Sequence, residues 1–202
     1  MATIADKILK RIRGMDRGSV CSAKDFLDLG SRAAVDQAMS RLVAKGQLRR
    51  LGRGVYDYPK MNPRLGVLTP SADALASALA KKTNSRLQIS GAHAANALGL
   101  STQVPAKVVY LTDGTSRRVR MGGRMIELRH ASPRTMATAG RPSGTVIQAL
   151  RYIGPNGIDD GVIDTVKRSL SNDDRVALTK DVKNAPDWMR PVLSQIASSS
   201  SP

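Results

Sequence analysis

Ser31–Tyr58 reads SRAAVDQAMSRLVAKGQLRRLGRGVYDY, and this stretch decides how the first part of the chain folds. Ser31 stands where an N-cap belongs. Val35, Ala38, Met39 and Leu42 recur at helical spacing over Arg32–Lys45 and make one face to bury. The opposite face carries Ala33, Gln37, Ser40 and Ala44, flanked by Asp36 and Arg41. Its small residues let the helix approach another surface closely. Gly46 stops the helix. Gln47–Leu51 and Val55–Tyr58 then read as short strands. Gly52-Arg53-Gly54 between them supplies the backbone freedom of a tight turn.

On the N-terminal side, Thr3 caps a helix to Met15, with Ile4, Ile8 and Ile12 on one face. Asp16–Ser19 is a turn. Ser22 caps a short helix, Ala23–Leu29, that ends at Gly30. Three helices followed by a two-stranded hairpin predict a winged helix-turn-helix over residues 1–59. Arg32–Lys45 is its expected recognition helix and the hairpin its wing, with double-stranded DNA as partner. The candidate contacts are Ser31, Arg32, Gln37, Ser40, Arg41 and Lys45 on the helix and Arg49, Arg50 and Arg53 on the wing. Gln37 and Arg41 have the chemistry to reach base edges in a major groove. The wing arginines suit phosphates or a narrow minor groove.

Charge supports a polyanionic partner. The chain of 202 residues has 32 Lys and Arg against 16 acids, a net charge of +16. Residues 1–64 hold 14 bases against 6 acids, residues 65–142 hold 11 against 3, and residues 143–202 hold 7 of each. The excess thus runs to about residue 142. Cys21, the single cysteine, excludes an internal disulfide and a cysteine-based zinc site, and it fits a reducing compartment. No apolar run reaches the length of a membrane span, and the N-terminus lacks a signal-peptide core. A cytoplasmic location without membrane contact is expected.

Residues 60–68 (KMNPRLGVL) read as a linker, and 69–197 as a second domain of mixed α and β structure. Thr69-Pro70 opens a helix there, Leu87–Ser90 is a short strand, and Lys107–Thr112 a strong one. Arg117–Met121 and Met125–Arg129 form a hairpin around Gly122-Gly123. Residues 131–144 read as irregular. Four helices follow, near Thr145–Ile153, Asp159–Ser169, Asp173–Lys183 and Pro186–Ala197, before a disordered tail at 198–202. The fold class is α+β: an N-terminal winged helix-turn-helix, then a mixed domain ending in helices.

The segment ISGAHAANALGLSTQVPAKVVYLTDG (Ile89–Gly114) resembles the signature of AbiEi-type antitoxins of bacterial type IV toxin–antitoxin systems. RLVAKGQLRRLGRGVYDYP (Arg41–Pro59) is similar to that family's DNA-binding domain. The resemblance spans nearly the whole chain and is most specific over Ala94–Pro105. It implies repression of the protein's own operon, through its promoter, and neutralisation of a nucleotidyltransferase toxin encoded nearby. A stand-alone winged-helix regulator, with a ligand- or partner-binding second domain, is the alternative.

Other features carry less. Arg117, Arg118, Arg120 and Arg124 form a second basic cluster, which either extends a DNA footprint, grips a phosphate-bearing partner, or is a solvated sheet face. Gly52-x-Gly54 lacks the lysine and following helix of a phosphate loop. His93 and His130 have no ligand spacing, so no metal or cofactor is expected. Asp113 and Glu127, the only glutamate, are a faint shadow of a metal-dependent nuclease. A surface ion pair explains Glu127 better, and no catalytic residue is expected. Trp188 either anchors a partner or pins the last helix to its own domain.

Overall fold

A computed structural model describes residues 2–103 and 105–198 of the chain. It is a mixed α+β protein that divides into two compact units, Met1–Asn84 and Ser85–Pro202. The first unit therefore extends past the expected linker to Asn84. Residues 199–202, most of the expected tail, lie outside the described residues.

Local signals set the start of the first unit. Helix α1 (Ile4–Arg13) begins in a reciprocal cap: the Asp6 backbone N–H donates to Thr3 Oγ1 at 3.2 Å, and the Thr3 N–H donates to the Asp6 carboxylate at 2.9 Å. A three-residue strand, β1 (Val20–Ser22), follows, then a 3-10 helix (Ala23–Leu29) and helix α2 (Arg32–Ala44). Strands β2 (Arg49–Gly52) and β3 (Val55–Asp57) form the hairpin. Ile8, Ile12, Phe26, Val35, Met39, Leu42 and Leu48 close into one core beneath it. Each such side chain contributes about 1.5–3 kcal/mol when fully buried. The buried face of α2 is the one its periodicity predicts.

Strand β1 was not expected. It pairs antiparallel with β3, opposite β2, and so makes β3 the centre of a three-stranded sheet. The hairpin slips register between Arg50 and Gly52, and Gly54 takes φ +68°, which favours glycine. Residues 60–68 are not a bare linker either. They hold a short hairpin, β4 (Met61–Asn62) with β5 (Gly66–Val67), whose turn is tied by Asn62 Oδ1 accepting from the Arg64 and Leu65 backbone N–H groups. Helix α3 (Ala72–Thr83) starts later than Thr69-Pro70 suggests. Its cap is Ser71, whose Oγ accepts from the Ala74 N–H. It lies against β1, and Lys81 near its end pairs with Asp25 at 2.5 Å. Burial pulls the Asp25 carboxyl up, but the bonds from Lys81 and Ser22 outweigh it and hold the group below its usual range.

The second unit opens with β6 (Leu87–Ser90), α4 (Ala92–Ala97), β7 (Lys107–Thr112), β8 (Arg117–Met121) and β9 (Arg124–His130). The order across the sheet is β6-β7-β9-β8. The β8–β9 hairpin turns at Gly122-Gly123 as expected, while β9 pairs parallel with β7. Helices α5 (Pro133–Met136), α6 (Pro142–Ile153), α7 (Asp160–Ser169), α8 (Asn172–Asp181) and α9 (Arg190–Ala197) complete it. The segment expected to be irregular thus contains α5 and the first turn of α6, with Pro142 at its N-terminus. Ala94 and Ala95 of α4 pack with Val146, Ile147 and Leu150 of α6 and with Leu193 and Ile196 of α9 in one core. Asn96 donates to the Gln103 carbonyl and holds the loop after α4. Met189, Leu193 and Ile196 pin the C-terminal segment, while Trp188 stays 41% exposed. Among the described residues, no helix is long and apolar enough to cross a membrane.

Candidate nucleic-acid interface

The exposed side of α2 and the β2–β3 hairpin enclose a cleft of about 420 Å3. Arg32, Asp36 and Ser40 line it from α2, Arg50 and Arg53 from the hairpin, and Lys82 from α3. Four cations face one carboxylate there. Asp36 is spent on Arg32, one turn away, at 2.8 Å. Lys82 Nζ donates to the Arg53 carbonyl at 2.5 Å and braces the tip of the hairpin. Charges of one sign around a concave surface focus the field outward, which favours an anion.

The remaining α2 candidates separate by position. Ser31 is used by the helix itself, its Oγ accepting from the Ala34 N–H at 3.4 Å. Gln37 and Arg41 are exposed beside the small residues Ala33 and Ala44. Lys45 caps the C-terminal end and is exposed.

Among the hairpin candidates, Arg49 departs from the expectation. Its guanidinium forks onto Asp57, with Nε donating to Oδ1 at 3.1 Å and Nη2 to Oδ2 at 2.6 Å. Nη2 also donates to the Leu68 carbonyl at 2.9 Å. Asp57 is fully buried and lies directly across the strands from Arg49. Arg49 therefore neutralises an internal charge, and the cleft is built without it. Arg50 and Arg53 are exposed, and among the described residues their side chains make one hydrogen bond, from Arg50 Nε to the Gly52 carbonyl at 3.3 Å. Lys82 was missed because it lies in sequence beyond the expected boundary at 68. A cluster of two lysines ending a capped helix, Lys81-Lys82, was the available signal.

The second basic cluster is split by the pleat. Register places Arg118 opposite Glu127 and Arg120 opposite Met125, so both share the face of Lys107 and Arg129. Arg117 pairs with Leu128 and Arg124 with Met121, on the other face. Glu127, expected at the surface, is buried in the middle of the first group. Lys107 pairs with its carboxylate, Arg129 at 3.5 Å and Arg118 at 3.7 Å. The Lys107 bond holds the Glu127 carboxyl below its ordinary range against the opposing effect of burial, and the charges of Arg129 and Arg118 assist. Asp113, the other acid of the nuclease-like pattern, pairs with Arg86 at 2.8 Å. His93 stacks edge-on against Tyr110, and His130 Nδ1 lies 3.0 Å from the Gly114 carbonyl. No group of three or more His, Cys, Asp or Glu able to hold a metal occurs among the described residues.

Residues 7–178 match a family described only as a family of unknown function, DUF6088. No curated protein matches the sequence. The crystal structure of the RV2827C protein from Mycobacterium tuberculosis is similar at 16% identity and a TM-score of 0.49, over 98% of this chain and 83% of that one.

Proposed function

The chain belongs to the DUF6088 family, whose function is unknown, and from its geometry we propose that it is a winged-helix DNA-binding protein that represses its own operon. The order α1, β1, 3-10 helix, α2, β2, β3 supports this reading, since it is the order of a winged helix-turn-helix with a three-stranded sheet. In it α2 enters a major groove, and the hairpin reaches the neighbouring backbone. The observation that carries the proposal is the cleft where Arg32, Arg50, Arg53 and Lys82 converge beside the exposed face of α2. Phosphates are the partner such a group suits, and binding weakens steeply with salt as counterions are released.

The resemblance of Ile89–Gly114 to AbiEi-type antitoxins adds the second role, counteraction of a nucleotidyltransferase toxin by a cytoplasmic antitoxin. Mobility-shift titration on DNA upstream of the gene tests the first role. Affinity unchanged after Arg50→Ala with Arg53→Ala would count against the wing. Co-expression with a neighbouring nucleotidyltransferase-like gene tests the second. Growth arrest that this protein does not relieve leaves a stand-alone regulator.

A further inference from the structure

The polar side chains of α2 fall into two sets. Arg32 and Asp36 pair with each other on the cleft side, beside Arg50, Arg53 and Lys82. Gln37 and Arg41 stand four residues apart on the same exposed side of α2, clear of the cleft lining. Both are exposed, and neither side chain has a hydrogen-bond or ion-pair partner among the described residues. They contribute nothing visible to the fold. The buried row Val35, Ala38, Met39 and Leu42 fixes the rotation of the helix, so the free row cannot turn inward. Ala33 and Ala44, at either end of that row, keep close approach open.

We infer that Gln37 and Arg41 read bases, and that the sequence they select contains an adenine and a guanine within two base pairs of each other. The inference rests on the DNA-binding reading. A glutamine amide both donates and accepts, which matches the N7 and N6 edge of adenine. An arginine fork offers two parallel donors, which matches O6 and N7 of guanine. Four helical residues advance about 6 Å, and base pairs are spaced by about 3.4 Å, so side chains four apart span up to about two steps along a groove. Tilt of the helix shortens that span. The cleft cations then hold the backbone and carry no sequence preference.

The test is selection by the full chain from a pool of duplex DNA with a randomised segment, followed by affinity measurements on the selected site. Wild type should enrich the adenine and guanine. Gln37→Ala should relax the preference at the adenine alone, and Arg41→Ala at the guanine alone, each by about 5- to 150-fold. Arg53→Ala should weaken all sequences alike and leave the selected site unchanged. All three positions are exposed, and circular dichroism checks that the variants stay folded. A selected site without the pair, a wild type that binds duplexes without preference, or preferences that survive both α2 substitutions would overturn the inference and leave DNA binding standing. Failure of wild type to bind any duplex at low salt removes the DNA-binding reading itself.

Discussion

Replacing Arg49 by alanine should destabilise the first unit before it affects any ligand. The substitution removes the partner of Asp57, which is 0% exposed, and deletes bonds of 3.1, 2.6 and 2.9 Å to Asp57 and the Leu68 carbonyl. Breaking a buried ion pair from one side costs about 3–5 kcal/mol, because the remaining charge stays buried without compensation. The Arg49 side chain is itself 35% exposed, which lets water reach the vacated site and puts the cost at about 3 kcal/mol. With a denaturant slope of about 1–3 kcal/mol/M, the urea midpoint should fall by roughly 1–3 M. Urea unfolding followed by circular dichroism measures it. Arg49→Met with Asp57→Leu removes both charges and should cost less than the single substitution. If Arg49→Ala kept full stability and lost only DNA affinity, Arg49 would be a DNA-contacting residue and the internal-pair account would be refuted.

Three further outcomes are expected. Arg50→Ala with Arg53→Ala should flatten the slope of log affinity against log salt by about 1.8 in anisotropy titrations, from roughly 0.9 for each phosphate that is no longer neutralised; an unchanged slope places both arginines off the backbone. Glu127→Gln should destabilise the second unit at neutral pH. The native carboxyl releases its proton more readily than the unfolded one, so its contribution is present above the ordinary glutamate range and is lost as pH falls through the lowered native value. Urea midpoints of wild type and variant should therefore converge on acidification, and a gap that persists at low pH contradicts the ion-pair role. The Cys21 thiol is buried and pushed up to about 12, by burial first and then by Asp25 and Asp57. A chromogenic disulfide at pH 8 should label it slowly in the native protein and quickly in urea, whereas rapid native labelling contradicts the packing.

What the sequence disclosed depended on range. Thr3 and Ser31 as caps, and the buried rows Ile8–Ile12 and Val35–Leu42, were legible because a helix writes its cap and period into neighbouring residues. The β8–β9 turn was legible for the same reason. Strand β1 was not: three residues hold no alternation, and only β3, more than thirty residues on, defines them. The parallel pairing of β7 with β9 is likewise non-local. At the candidate site, charge identified Arg50 and Arg53 but gave Arg49 the same weight. Only the cross-strand register, shifted by the bulge, shows that Asp57 claims it. Lys82 needed tertiary structure to reach the cleft.

The bond from Arg49 to the Leu68 carbonyl bears on how the first unit can be cut out for separate study. A fragment ending at Pro59 retains α1, α2 and strands β1 to β3, yet it leaves Arg49 short of an acceptor, Asp25 without Lys81, and the hairpin tip without Lys82. A piece that keeps these ties together with the whole of α3 and its cap runs to Asn84. Expression trials that compare the two end points, at equal yield of soluble protein, should find the longer one folded and the shorter one prone to proteolysis.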